Sequence, residues 1–527
     1  MRTPLSRFLR RLLVARRRAA RGLPPQAVPL ADPGRRALLA GMATLPALGA
    51  LGCVEPVPDT GDSGRGGGRR VLVLGAGLAG LTCCHYLARA GVRAEVVEAA
   101  SRVGGRVYSV PGLFASAPER VAELGGEWIN STDTDLLALV GEFDLPLIDL
   151  YASDLAELRW FDGARLSGRE LAAAIDPLIT AIDAAVAGLP DTVGYADPGG
   201  AEALDQTSVA AWMEPHTAGT VADAFVRELM TADFGLETTE QSSLNLLFFL
   251  GSGAVEYDER YRILGGNGQV ADTLAARYAN RITSSREANA LREAEDGRIE
   301  VGFTDGSVER ADVVVCALPF TVLRTFALDV PLSAAKERAI RELGYGTNAK
   351  LLLPFTGRPW RASGENGIVI TDNGAQMGWD PWDQQEGDAG AFANFTAGEH
   401  GAGLHQGEPV ERAEELLAWL EPFWPGLSAQ WTGEVARQAW PVEPTVLGSY
   451  ACYRVGQWTA LGGAEPEPEG ALFFCGEHTS HDFQGYMNGA VESGRRAAEE
   501  VVAHLGGAAR RARVSRACRR RPWVPPA

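Results

Sequence analysis

The stretch "VLVLGAGLAGL" (71–81) decides the fold. Four apolar residues, Val71–Leu74, read as a buried strand, and Gly75-Ala-Gly77-Leu-Ala-Gly80 reads as the turn into a helix. Helical periodicity continues through "LTCCHYLARAG", and a second apolar strand, "AEVVEAA", carries Glu98, 23 residues after Gly75. Each glycine has a physical task in such a unit. Gly75 permits the tight turn, Gly77 lets a pyrophosphate approach the backbone, and Gly80 lets the helix pack on the strand. The helix N-terminus offers free N–H groups to an anion. A carboxylate at the position of Glu98 suits ribose hydroxyls. The unit predicts a dinucleotide site but does not separate NAD from FAD.

Further motifs bear on that choice. "SRVGGR" (101–106) follows the second strand, and "ELGGEWI" (123–129) comes about twenty residues later. Glycine pairs beside arginine suit a second diphosphate contact and a close approach to a flat ring. Near the C-terminus, "GALFFCGEHTSHDFQGYMNGAVESGRRAAEEV" (470–501) reads as a strand into Gly476-Glu477, a loop, and a helix opening near Gly485-Tyr486-Met487.

With "RILGGNGQVADTLA" (262–275), "ADVVVCALPFTVLR" (311–324) and "YGTNAKLLL" (345–353), these motifs stand in the order found in the flavin-containing amine oxidases. The chain resembles that family, the monoamine, polyamine and L-amino-acid oxidases, from about residue 70 to 503. The resemblance implies an α/β fold: a Rossmann-type FAD-binding domain assembled from residues 69–150, 255–328 and 445–505. Interleaved with it would be an α+β substrate domain from 151–254 and 329–444. It also implies FAD contacts at Gly75, Gly77, Leu78, Ala79, Gly80, Glu98, Ala99, Arg102, Gly105 and Arg106. Further contacts would fall at Gly125, Gly126, Glu127, Trp128, Ala288, Trp440, Gly476, Glu477, Tyr486 and Met487.

Three residues would carry the chemistry. Lys350 stands where the family has a lysine joined through water to the flavin N5; on the apolar strand "AKLLLPF" it needs a partner or a wet cavity. Tyr450 and Tyr486 match the two aromatics that flank the substrate nitrogen in monoamine oxidases. Those enzymes attach flavin through a cysteine at the place Ser449 occupies here. Cys452 lies out of register for that bond, so noncovalent FAD is expected.

The implied reaction is hydride removal from an amine-bearing carbon. The resulting imine hydrolyses to an aldehyde or ketone, and dioxygen is reduced to hydrogen peroxide. L-amino-acid oxidases clamp the substrate carboxylate with an arginine soon after the glycine pair; "GGEWINSTDTDLL" (125–137) has none, which favours a mono- or polyamine. L-amino-acid oxidation is the alternative. A desaturase or porphyrinogen-type oxidase, or a flavoprotein without turnover, would have little need for Lys350, Tyr450 and Tyr486.

The ends differ in charge from the body. Residues 1–36 hold ten arginines and one acid, and residues 510–521 hold seven arginines and no acid. What remains carries 32 basic and 66 acidic side chains, which argues against a nucleic-acid partner. Arg35-Arg36 precede a short apolar run ending at "ALGC", the pattern of a twin-arginine export signal (1–53) with Cys53 as a lipidated residue. Residues 54–68 read as a flexible linker, and 506–527 as a basic disordered tail. The expected location is therefore the periplasm or cell envelope, with a lipid tether at Cys53. The seven cysteines and seven histidines show no metal spacing, and no metal is expected.

Overall fold

The computed structural model describes residues 69–152, 155–190, 192–252 and 258–506. The expected export signal, the linker up to residue 68, Cys53 and the tail beyond 506 lie outside these residues.

Five short strands form a parallel sheet at the N-terminal unit. They are β1 (Val71–Leu74), β2 (Ala94–Val97), β3 (Ile282–Thr283), β4 (Val313–Cys316) and β5 (Leu472–Phe474), in the spatial order β5-β4-β1-β2-β3. β1 is central, pairing Val71 with Ala94 on one side and Val313 on the other. Its unbroken apolar run follows from burial on both faces. Val71 and Val73 pack toward helix α1 (Leu78–Arg89) and helix α2 (Met487–Gly506), whereas Leu72 and Leu74 join a separate core with Leu291, Val301 and Phe474. That second core lies under a four-stranded sheet of residues 288–311 and 327–329. The strands of the parallel sheet thus come from three stretches far apart in sequence.

Helices α1 and α2 touch closely because Gly494 faces the backbone of α1. A Cβ there would stand 2.4 Å from the Ala79 carbonyl oxygen. This contact brings the last helix against the first glycine turn.

A seven-stranded sheet makes the second unit. Its order is 436–439, 349–355, 390–396, 377–379, 365–371, 156–161, 164–165. The helix Val221–Phe234 meets strands 365–371 and 156–161, and the helix Gly168–Val186 packs against that helix. Helix Gly168–Val186 starts because the Ser167 side chain accepts from the Glu170 N–H while the Glu170 carboxylate accepts from the Ser167 N–H, a complete capping box. Its apolar residues recur at Leu171, Ile175, Leu178, Ile179 and Ile182, one stripe at helical spacing. That stripe packs with Phe225 and Leu229, and with Ile370, Met377, Trp379 and Phe395 of the sheet. The tryptophans of residues 329–444 are mainly structural: Trp360, Trp379, Trp382 and Trp424 are buried.

Candidate functional site

A long cleft of about 1620 Å³, part of it open to solvent, lies at the carboxyl ends of β1, β2 and β4. At one end the glycine turn makes its floor. Gly75 adopts φ +101°, where a Cβ would crowd the Ala317 carbonyl oxygen at 3.1 Å. A Cβ on Gly105 would stand 3.2 Å from the Gly77 Cα, so two bare stretches of backbone face each other here. A group as wide as a diphosphate can approach such a surface, and the start of α1 favours its charge. Gly80 lies behind the turn. Its Cβ would fall 2.0 Å from the Gly75 carbonyl oxygen, so α1 can seat only with glycine at this position.

Glu98 lies beside this floor, accepting bonds from the N–H groups of Ala76 (2.7 Å) and Ala100 (2.8 Å). Burial pushes its carboxyl above the usual range, and those two bonds partly offset the push. Leu78, Ala79, Ala99, Arg102 and Ala288 line the same end.

At the other end, Arg106 ties three distant segments together. Its guanidinium donates to the Glu477 carboxylate (2.7 Å) and to the Ser449 carbonyl (2.6 Å). Glu477 also accepts from the Gly485 N–H at 2.9 Å, just before α2 begins. Gly126, Glu127, Trp128, Trp440, Gly476, Tyr450, Tyr486 and Met487 all line this half. A Cβ on Gly126 would meet the Met487 sulfur at 2.8 Å, which keeps that wall thin. Tyr450 is buried, with its hydroxyl donating to the Ala232 carbonyl at 3.1 Å. Trp440 is also buried, and its Nε1 has no partner among the described residues. The cleft therefore offers a long channel with a carboxylate near each end, bare glycine backbone for a diphosphate, and aromatic walls. These features fit a dinucleotide carrying a flat ring.

Three of the expected residues do not line the cleft. Gly80 and Gly125 stand behind it; a Cβ on Gly125 would lie 2.1 Å from the Arg106 carbonyl oxygen. Lys350 is fully buried, and its ammonium donates to the Glu127 carboxylate (2.7 Å) and to the carbonyls of Glu123 and Gly125 (3.0 Å each). With three protons and three acceptors, its bonding is complete. The structure places this lysine behind the glycine-pair loop, which it clasps, and not among the residues that line the cleft.

Sequence reasoning missed the charge cluster around this lysine. Burial alone would raise the Glu127 carboxyl, but the Lys350 and Arg262 charges, with bonds from Lys350 and Trp379, hold it below the usual range. Glu123 lies beside it with burial raising its pKa to about 7. Two acids flanking a glycine pair, with a lysine on an apolar strand, were the available signal. Ser449 and Asn348 also line the cleft, joined by a bond from the serine hydroxyl to the Asn348 side-chain oxygen (2.6 Å).

A strand–glycine turn–helix unit joined to a distant glutamate through Arg106 defines a flavin-type dinucleotide fold. The chain belongs to the flavin-containing amine oxidoreductases, whose family model matches residues 78–502. Its cofactor is FAD, and it is an oxidoreductase acting on amines. It is 26% identical to an L-amino acid dehydrogenase of Synechocystis over 459 residues, 82% of this chain and 95% of that protein. It is also 26% identical to the putrescine oxidase of Kocuria rosea over 467 residues, 82% of this chain and 95% of that one. A nicotine dehydrogenase of Pseudomonas putida is 25% identical over 478 residues, covering 88% and 94%. Among solved structures, a wild-type putrescine oxidase bound to putrescine superposes with a TM-score of 0.72 at 22% identity, covering 82% of this chain and 99% of that one. The cyclohexylamine oxidase of Brevibacterium oxydans superposes at 0.73 and 19% identity, covering 83% and 99%. These likenesses show a shared fold.

Proposed function

We propose that the enzyme removes hydride from the amine-bearing carbon of a small mono- or polyamine. The imine product hydrolyses to an aldehyde or ketone plus ammonia or a smaller amine. Dioxygen is the final acceptor and takes two electrons and two protons to become hydrogen peroxide. The observation that carries this reading is the placement of Tyr450 and Tyr486 in one cleft with Trp440, Glu98 and Glu477. Bound FAD supplies the two-electron acceptor for the hydride. The chain's own contribution is position: two tyrosine faces attract an ammonium on approach and then hold the neutral amine with its Cα–H aimed along the cleft.

An amino-acid substrate would need a cation for its carboxylate. The arginines lining the cleft, Arg102, Arg106 and Arg286, are engaged by backbone carbonyls, by Glu477 and by Glu309 respectively. This supports an amine over an amino acid.

No cysteine is found in the described cleft lining, and Cys452 is buried beside the Asn245 side chain. Noncovalent FAD follows, so acid precipitation should release yellow flavin into the supernatant. Export with a lipid tether at Cys53 belongs to the same reading. Cell fractionation should find the mature chain in the envelope, and a soluble cytoplasmic protein with its leader intact would rule export out.

The deciding experiment is an anaerobic titration of the purified flavoprotein with benzylamine, tyramine, putrescine, spermidine and L-amino acids. Bleaching of the flavin band by an amine is the expected result. Reduction by L-amino acids alone would shift the reading to their oxidation, and flavin that no substrate bleaches would overturn it. Admitting oxygen to the reduced enzyme then separates an oxidase from a dehydrogenase.

A further inference from the structure

Tyr450 is held at both ends, and one neighbouring side chain touches both anchors. At the far end its hydroxyl donates to the Ala232 carbonyl at 3.1 Å. Ala232 lies in the last turn of the helix Val221–Phe234, where carbonyls lack intrahelical donors. At the near end the chain enters Tyr450 from Ser449. Asn348 joins the two. Its Nδ2 donates to the same Ala232 carbonyl at 2.8 Å, and its Oδ1 accepts from the Ser449 hydroxyl at 2.6 Å. A carbonyl oxygen can only accept, so the amide nitrogen must face Ala232 and the amide oxygen the serine. Asn348, Ser449 and Tyr450 are all buried, and all line the flavin cleft.

Two glycines make room for this clamp. A Cβ on Gly235 would stand 2.4 Å from the Asn348 Oδ1, and one on Gly346 would stand 2.5 Å from the Ser449 Oγ. Backbone bonds close the rest of the seam. The Ser449 N–H donates to the Gly346 carbonyl and the Gly346 N–H to the Tyr450 carbonyl, at 2.8 Å each. The Gly235 carbonyl, just past the helix, accepts from the Thr347 N–H at 2.8 Å. Arg106 donates to the Ser449 carbonyl, so the serine is fixed at its hydroxyl, amide and carbonyl.

We infer that Asn348 is a positioning residue for the oxidation: by tying the Ser449 hydroxyl to the Ala232 carbonyl, it sets the tilt of the Tyr450 ring against the amine. A ring held at its backbone and at its hydroxyl cannot swing about either end, and Asn348 supports both holds. Tilt governs rate more than affinity. A ring face attracts an ammonium over a broad range of orientations, whereas hydride transfer needs the Cα–H aligned. Loss of Asn348 therefore slows flavin reduction and leaves amine affinity nearly intact. This inference rests on the amine reading above.

Anaerobic stopped-flow reduction of the holoenzyme by benzylamine or putrescine separates the two quantities. Asn348→Ala should lower the limiting rate about tenfold, with the apparent dissociation constant within about twofold of wild type and FAD content unchanged. Asn348→Asp keeps the acceptor for Ser449 but turns an oxygen toward Ala232. Its rate relative to wild type should recover as pH falls, because a protonated carboxyl can donate to that carbonyl. Should Asn348→Ala not fold, this recovery decides the matter, and Ser449→Ala, the mildest change, should slow reduction by a smaller factor. Added to Tyr450→Phe, Asn348→Ala should cost little more, since both release the same ring; factors that multiply would overturn the inference. So would unchanged limiting rates, or losses seen only as missing FAD or weaker amine binding.

A readout without substrate keeps the clamp distinct from the amine reading. In holoenzyme labelled with 3-fluorotyrosine, the fluorine resonance lost in Tyr450→Phe reports that ring. Asn348→Asp should shift it and leave the resonance of Tyr278, bonded to His85, in place. A shifted Tyr450 resonance in an enzyme whose flavin no amine reduces would overturn the amine reading and uphold the anchoring. An unshifted one would overturn the clamp even if amines are oxidised normally.

Discussion

At the scale of single residues, the centre of the molecule is the contact between Glu127 and Lys350. Neither side chain is measurably exposed, and each satisfies the other at 2.7 Å. Arg262 adds a second cation 3.2 Å from Glu127, and the Trp379 Nε1 donates to the same carboxylate at 2.8 Å. Removing one member of a buried ion pair leaves the other charge without compensation, at a cost of about 3–5 kcal/mol. Glu127→Gln should therefore lower stability by about that amount, because it strands two cations. Lys350→Met should cost less, since Glu127 keeps Arg262 and the tryptophan. Denaturant titration of both variants checks the order; an equal or reversed loss would contradict the clasp. Lys350 was visible in the sequence as a lysine among apolar neighbours. Its partner was hidden, because Glu127 lies 223 residues away and reads equally well as a cofactor contact.

The decisive event among the elements is the seating of α1 on its turn. Gly80 lets the helix begin where its free N–H groups face the cleft. With Ala at this position a Cβ would overlap the Gly75 carbonyl oxygen, and α1 would have to shift outward. Gly80→Ala should then lose most of its flavin on gel filtration while far-UV circular dichroism stays near wild type; full flavin retention would show that the turn can yield. A milder test applies to the helix Gly168–Val186. Ser167→Ala removes an N-cap that accepts from Glu170, at a cost of about 1 kcal/mol. It should lower Tm without changing flavin content. The two helices differed in legibility for a physical reason. The glycine turn and the capping box are local patterns, but the position of α1 against α2 depends on Gly494, which only the packed helices make necessary.

For the whole molecule, burial of acids sets the pH response. Glu123, Asp133, Glu228 and Glu465 are all pushed up to about 7, with burial the first cause in each case. A carboxyl raised on folding contributes stability that is full below its unfolded pKa and is lost as pH rises through the folded value. Lys336, lowered to about 7, acts at higher pH: its loss is complete below 7 and is recovered only toward the alkaline range. Between pH 5 and 7 the acids therefore dominate, and Tm should fall by a few degrees as pH rises across that window. Glu123→Gln should flatten the slope. A Tm that climbs from pH 5 to 7 would show that these acids are ionised in the native protein.

The amino-acid sequence by itself determined the family and the strand–turn–helix unit, and all but two of the cofactor positions it suggested line one cleft. Those features depend on glycine spacing and apolar periodicity over a few residues, and such local constraints are written where they act. Tertiary structure alone decided which charges meet. Arg106 reaches Glu477 across 371 residues, and Lys350 reaches Glu127 across 223. A charge inside a protein takes whatever partner the packed chain brings within about 3 Å. That partner is set by how separate stretches of chain cross, and no local pattern encodes the crossing.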